Sequence, residues 1–403
     1  MPTTAASNPQ AFPMESQLTH EALNHVLDNN DNFSADDRWL AIDTREPAGG
    51  IAGNARVCRV SLETGLTEVL HFEPRNGPWG PGVGAANYHP AEDAVDFIRG
   101  LGSAAPGRPY EMWRRTGAMV RVGRPSELHL LDARDVTAPF TPGALRGGTH
   151  RHEWSGDGQW IGFTYNDALL AEEERRTGRK VDLRTIGVAT RLGAPVTVRP
   201  GPENNDGEMF SVIVARVSAE PRPGSDEISR AFEDAWVGRA GYRRADGSWQ
   251  KRARAFLGTL RAPDGREVTE VFIADIPDRI DIPGEEGPLE GTPTTMPGPP
   301  RGASQRRLTH TLDRRFPGVV LEPRHWVRSS PDGAWIVFLA RDGAGVVQAH
   351  LVSPIGGPIL AATREAAPIQ SCVRWSPDGG RLLYVCGGSI VTSDARPESP
   401  GFG

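Results

Sequence analysis

Trp375-Ser376-Pro377-Asp378-Gly379, followed by the apolar run Arg381-Leu382-Leu383-Tyr384-Val385, is the stretch whose reading decides the fold. Pro presets φ at the second position of a tight turn, Asp closes the turn with its own side chain, and Gly supplies the positive φ of the exit. The run that follows is short and carries aromatic and branched residues, as a strand does. The phrase recurs. Ser330-Pro331-Asp332-Gly333 precedes Trp335–Leu339, Trp154-Ser155-Gly156-Asp157-Gly158 precedes Trp160–Thr164, and Ser34-Ala35-Asp36-Asp37 precedes Trp39–Ile42. A degenerate copy, His89-Pro90-Ala91-Glu92-Asp93, precedes Ala94–Ile98.

Two further strands follow most copies, for instance Val346–Val352 and Pro358–Ala361 after the Ser330 turn. Four strands in a unit of ~45 residues make the blade of a β-propeller, so the chain reads as all-β. Five turns give five blades. The region 200–310 adds one or two more, with strands expected near Met209–Val217, Arg254–Leu260, Val268–Ala274 and Gln305–Thr309, for a ring of six or seven. The last copy ends after three strands. Residues 16–20 (SQLTH) resemble Arg306–His310, an outer strand, and are expected to complete the last blade and close the ring. The domain then spans 16–395, between disordered ends at 1–15 and 396–403.

Two interruptions are expected. Residues 223–238 (PGSDEISRAFEDAWVG) read as a short helix: Ser225 is its N-cap, and Ile228, Phe232, Ala235 and Trp236 lie at helical spacing. Asp226, Glu227, Glu233 and Asp234 would then form a solvated acidic patch. Residues 283–304 are so rich in Pro and Gly that they read as a mobile loop, and the arginines of 174–180 as solvated surface.

Composition removes several function classes. The net charge of −6 supplies no field for nucleic acid. Lys occurs only at 180 and 251, which leaves Schiff-base chemistry almost without candidates. No nucleotide-binding glycine loop and no Gly-x-Ser-x-Gly elbow is present. No run approaches the ~20 apolar residues of a membrane helix, and the start of the chain lacks a signal-peptide pattern, so a cytoplasmic location is the default. Cys58, Cys372 and Cys386 have no metal-like spacing and read as thiols.

The strand before each turn is the innermost one of its blade. Counting back from the turns places His150, His152, His325 and Gln370 at one mouth of the central channel, with Asn29, Asn30 and Asn32 from the first blade. Alternation along a strand would put His150 and His152 on one face. Imidazoles with an amide oxygen suit a single divalent ion such as Mn, Fe, Ni or Zn. Arg328 and Arg374, each two residues before a turn serine, are candidate carboxylate clamps or inter-blade ion pairs. His89 and His25 are candidate bases, and His89 alternatively caps its own turn.

The turn phrase resembles that of TolB-like propellers. Residues 135–152 (DVTAPFTPGALRGGTHRH), 163–167 (FTYND), 182–188 (DLRTIGV), 223–238, Asn24-His25 and Ile369-Gln370-Ser371 resemble a bacterial family of uncharacterised TolB-like propellers that includes YidR. That resemblance implies a fold and no activity. More distantly, the His-x-His pair and Gln370 resemble oligogalacturonate lyases, in which three histidines and a glutamine hold a metal that acidifies a uronate C–H for β-elimination. Those enzymes carry Gln three residues before the pair, where this chain has Gly147. The resemblance implies His150, His152, His325 and Gln370 as ligands, His89 or His25 as base, Arg328 or Arg374 as clamp, and a sugar or sugar acid as substrate. The alternative is a non-catalytic ring that binds a protein or a small ligand.

Overall fold

A computed structural model describes residues 15–27, 31–46 and 49–402. Among them, six antiparallel sheets of three or four strands follow one another along the chain, each wound strand beside strand. The first comprises Trp39–Asp43, Arg56–Ser61 and Thr67–Phe72, extended on its inner side by a bridge from Phe33 to Leu40. The second runs through Val83–Tyr88, Ala94–Gly100, Arg115–Arg121 and Arg124–Leu130. The third has Gly147–Trp154, Trp160–Asp167, Thr185–Thr190 and Phe210–Ile213, and the fourth Ile228–Trp236, Ala253–Arg261, Glu267–Asp275 and Ser304–Arg307. Arg328–Ser329, Ile336–Arg341, Val347–Val352 and Leu360–Ala361 form the fifth, and Arg374–Trp375, Arg381–Cys386 and Ser389–Asp394 the sixth. The region 200–310 therefore finishes the third sheet and contributes one more.

The recurring turn works as its sequence demands. At Ser155 the hydroxyl donates to Asp157 Oδ1 (2.5 Å) and accepts from the Trp160 N–H (3.0 Å). Ser330 and Ser376 repeat this with Asp332 and Trp335, and with Asp378 and Arg381. The middle strands of the second to fifth sheets are buried on both faces because the sheets stack. Ile186, Val188 and Val212 of the third sheet pack with Ile228, Phe256 and Phe272 of the fourth, and Phe232, Leu257 and Ile273 of the fourth with Ile336 and Phe338 of the fifth. Each such side chain contributes on the order of 1.5–3 kcal/mol of burial.

Several expectations need correction. Residues 228–236 form a strand rather than a helix, the first strand of the fourth sheet. The helix is elsewhere, at Ala168–Thr177. Asp167 caps it by accepting from the Leu169 and Leu170 N–H groups. Residues 283–303 are irregular but anchored: Leu289 is buried, and the Thr292 and Thr295 carbonyls accept from Arg146. Residues 15–20 carry no strand, and Leu18 packs against Ile42, Cys58 and Val60 of the first sheet. At the other end, Phe402 bridges in parallel to Asp394 beside the last strand, where disorder was expected. The expectation for residues 1–14 lies outside the described residues. The three cysteines are free thiols. Among the described residues no helix is long and apolar enough to cross a membrane.

Candidate functional site

Three neighbouring first strands share one irregularity. Each shifts register, between Gly84 and Asn87, between His150 and Glu153, and between Phe232 and Ala235. Within each shift a non-glycine residue has positive φ: Ala85 (58°), Arg151 (55°) and Glu233 (50°). A bulge inserts one residue and re-aims the side chains around it. Alternation is therefore broken, and His150 and His152 do not share a face. His152 turns towards the second sheet, where its Nε2 meets Thr149 Oγ1 (3.0 Å) and fills the space beside Gly117. Burial, with Arg115 nearby, pushes its pKa down to about 3. His150 turns towards Arg115, Arg184 and Arg324. Burial first, then those guanidiniums, hold its pKa well below the ordinary imidazole value, so it is neutral at pH 7.

The middle of the site is an ionic network drawn from different sheets. Arg254 is fully buried, pairs with Asp234, and reaches Glu153 Oε2 at 2.6 Å. Gly162 makes the room, since a Cβ there would stand 2.4 Å from the guanidinium carbon. Glu153 Oε1 accepts from Arg328 at 3.0 Å. Burial raises the Glu153 pKa, but Arg254, Arg328 and Arg151 outweigh it and the group stays ionised. Asp31 faces the same charges. Burial and then Glu153 push it up to about 6 against the opposing pull of Arg328, Arg374 and Arg151. Among the described residues Arg151 has no carboxylate partner. Its Nη1 donates to the Asp234 carbonyl (2.8 Å), its guanidinium lies over the Trp326 ring at 4.0 Å, and burial followed by Arg328 lowers its pKa to about 9.

Around His150 the balance differs. Arg115 donates to the Tyr110 hydroxyl (3.0 Å), and Arg184 to Asn166 Oδ1 (3.2 Å) and Met112 Sδ (3.3 Å). Arg230 lies over Phe232 at 4.1 Å, and Arg324 pairs with Glu233 at 3.0 Å. Among the described residues, four guanidiniums thus gather where a single carboxylate, Glu233, pairs with any of them. Burial, then Arg115 and Arg230, lower the Arg184 pKa to about 10. Buried donors are also left over: Arg115 Nε, Arg151 Nε and Nη2, Trp326 Nε1 and Arg328 Nη2 have no hydrogen-bond partner. Groups of this kind are normally satisfied, at a cost of ~1–3 kcal/mol each when they are not.

The expected metal ligands are not brought together. His325 spends both ring nitrogens on backbone: Nε2 accepts from the Leu339 N–H (3.3 Å), so Nδ1–H donates to the Pro323 carbonyl (3.1 Å). Gln370 is exposed and its Oε1 accepts from the Gly388 N–H (3.0 Å). Position 147 has no room for the lyase glutamine, because a Cβ on Gly147 would stand 1.8 Å from the Asn166 carbonyl oxygen. Among the described residues no three His, Cys, Asp or Glu side chains are grouped to hold a metal ion. The guanidiniums around His150 oppose a divalent cation further, so the residues present do not fit one.

The remaining candidates separate. His89 caps its turn: Nδ1 accepts from the Ala91 (3.2 Å) and Glu92 (2.9 Å) N–H groups, and Nε2–H donates to the Gly158 carbonyl (3.0 Å). His25 is half-buried beside Val26, which bridges to Asp43, and its Nε2 has no partner. Arg328 and Arg374 do come near each other, as charges acting on Asp31. Asn32 is structural, donating to the Ala41 and Ala86 carbonyls, while Asn29 and Asn30 lie outside the described residues. The acidic patch dissolves: Asp234 is fully buried and Glu233 nearly so.

Sequence reading missed Arg115, Arg184, Arg151, Glu153 and Arg254. For two of them a signal existed. Arg115-Thr116 and Arg184-Thr185 both stand where the third strand of a sheet begins, a repeat within the repeat.

Residues 82–204 match a family described as a protein of unknown function (DUF3748). Among solved structures, an oligogalacturonate lyase from Vibrio parahaemolyticus is similar with a TM-score of 0.48 at 12% identity, over 91% of this chain and 76% of that one. TolB from Acinetobacter baumannii gives 0.40 at 12%, over 89% of this chain, which spans 60% of TolB's. The uncharacterised protein YidR of Escherichia coli (strain K12) is 39% identical over 389 residues, 94% of this chain and 86% of YidR. With that identity over nearly its whole length, the chain belongs to the YidR family.

Proposed function

We propose that the six sheets form a six-bladed propeller ring, and that the channel mouth at the starts of the first strands binds a small anionic ligand of the sugar-acid class. Meeting charges support the ring: Asp31, just ahead of the first sheet, lies in the field of Glu153 from the third, Arg328 from the fifth and Arg374 from the sixth. Arg239 also reaches across from the fourth sheet to the Pro377 carbonyl of the last turn (3.4 Å). The first and sixth sheets then approach each other at their inner edges, where Asp31 lies in the field of Arg374.

The observation that carries the ligand reading is the set of guanidiniums around His150 with one paired carboxylate among them. Guanidinium forks recognise carboxylates in two-point geometry. Neutral partners for hydroxyls stand beside them: Asn166, the Tyr110 hydroxyl and the His150 imidazole. Arginines take the neutralising part that the distant lyase resemblance gave to a metal. Binding is favoured over elimination, because the imidazole at the site, His150, resists protonation and is a weak base.

A thermal-shift screen of hexuronic and aldonic acids beside their neutral sugars tests this. Acids should raise the Tm and the matched neutral sugars should not. Equal responses to both, or none to either, would remove the sugar-acid assignment.

A further inference from the structure

Apart from the arginines around His150, a cavity of about 270 Å³ lies between residues 107–114, the start of the helix, Arg134 and Glu203. Most of its charges are matched. Arg114 pairs with Glu203 (2.7 Å) and donates to the Arg108 and Pro109 carbonyls, and Arg175 pairs with Glu172 (3.0 Å). Two groups are not. Arg134 is 1% exposed, and its Nε and Nη1 donate to the Glu203 and Trp113 carbonyls (2.9 and 2.8 Å). Its Nη2 has only Glu203 Oε2 at 3.8 Å, beyond hydrogen-bond reach. Glu111 is half-buried, and among the described residues its carboxylate has no ion pair and no hydrogen bond. The rest of the wall is largely apolar, from Pro109, Trp113, Val136, Ala168 and Leu169. We propose that this cavity binds a small aliphatic α-amino acid as a zwitterion, with its carboxylate on Arg134 and the exposed Arg108, its ammonium on Glu111 and its side chain against Val136 and Leu169.

The pattern of charges selects the class. An anion alone would leave Glu111 beside it without a partner, and a cation alone would meet the guanidiniums of Arg108 and Arg134. A zwitterion answers both with one molecule. Glu203 is already shared among Arg114, Arg134 and Arg108, so the ammonium falls to Glu111. The start of the helix adds wall rather than anion donors, because Asp167 accepts from its Leu169 and Leu170 N–H groups. Size agrees, since the space lies just below the ~300–1,000 Å³ of pockets for drug-sized ligands. The site is independent of the ligand reading for the mouth.

The test is calorimetric titration of the full chain with glycine, alanine, valine and leucine, beside isocaproate and isoamylamine, which keep the leucine side chain and one charge each. Saturable binding that strengthens from glycine to valine or leucine is expected, with each single-charge analogue at least about tenfold weaker than leucine. Glu111→Gln removes a carboxylate that bonds nothing in the fold. It should keep the parent's Tm, weaken leucine at least about tenfold and leave isocaproate unchanged, a split that a merely structural residue would not produce. No saturable binding of any of the four amino acids, or isocaproate binding as tightly as leucine, overturns the proposal. Arg115→Met/Arg184→Met is expected to leave leucine binding intact, so the two readings fail separately.

Discussion

Arg254 and Arg184 are both buried in charge-rich surroundings and live by different rules. Arg254 lies between two carboxylates that hold its pKa up against the opposing effect of burial. Arg184 lies between Arg115 and Arg230, which add to the effect of burial and bring it down to about 10. The first arrangement ties sheets together, since its partners Glu153 and Asp234 come from two of them. The second joins Arg184 to neutral partners, Asn166 and Met112, and leaves its neighbours' charges uncompensated, which is why the anion reading is placed there.

The largest effect should come from breaking the paired region. Arg254→Met leaves Asp234 and Glu153 buried and is expected to cost about 3–5 kcal/mol by urea unfolding. A cost below about 1 kcal/mol would erase the distinction between the two arginines. Arg184→Met should do the reverse. Its stability should stay within about 1 kcal/mol of the parent, while sugar-acid binding weakens at least about tenfold, as loss of one charge-assisted hydrogen bond implies.

Asp31 sharpens the comparison through pH. Its folded pKa, about 6, exceeds the ordinary 3.8, so the folded chain holds this proton more tightly than the unfolded one. The group's stabilising contribution is therefore fullest below pH 3.8 and is lost as pH rises to about 6. Asp31→Asn should be more stable than the parent above pH 6, with the advantage fading towards pH 4. A constant difference across that range would mean that Asp31 does not titrate there. The smallest effect belongs to Glu233→Gln. Removing the one carboxylate paired at the mouth should tighten acid binding a few-fold and steepen its salt dependence.

The sheets were legible wherever the Ser-Pro-Asp-Gly turn or its variants survive. Three strands of the fourth were expected and are present, but its first was missed, because it is followed by Val237-Gly238-Arg239 rather than that phrase. Its bulges also disguise it. Register shifts between Ile228 and Arg230 and between Phe232 and Ala235 move the apolar residues off a two-residue period, so that Ile228, Phe232, Ala235 and Trp236 fall at helical spacing. Trp236 was the surviving clue, standing before its turn as Trp154 and Trp375 stand before theirs. The same irregularity misplaced the histidines. Counting back from Ser155 assumed regular alternation, which could not foresee that Arg151 would take positive φ and send His150 and His152 apart. Arg115 and Arg184 stand at the starts of third strands, Arg254 in a second strand and Arg324 in a loop, none of which a turn phrase indexes, so only the three-dimensional packing gathers them.

Calorimetric titration of the full chain with galacturonate, beside galactose, tests the anionic mouth most directly. Saturable binding of the acid alone, weakening as salt is added and lost in Arg115→Met/Arg184→Met, is the predicted result. Binding of both sugars alike, or acid binding indifferent to salt and to that double substitution, would contradict it.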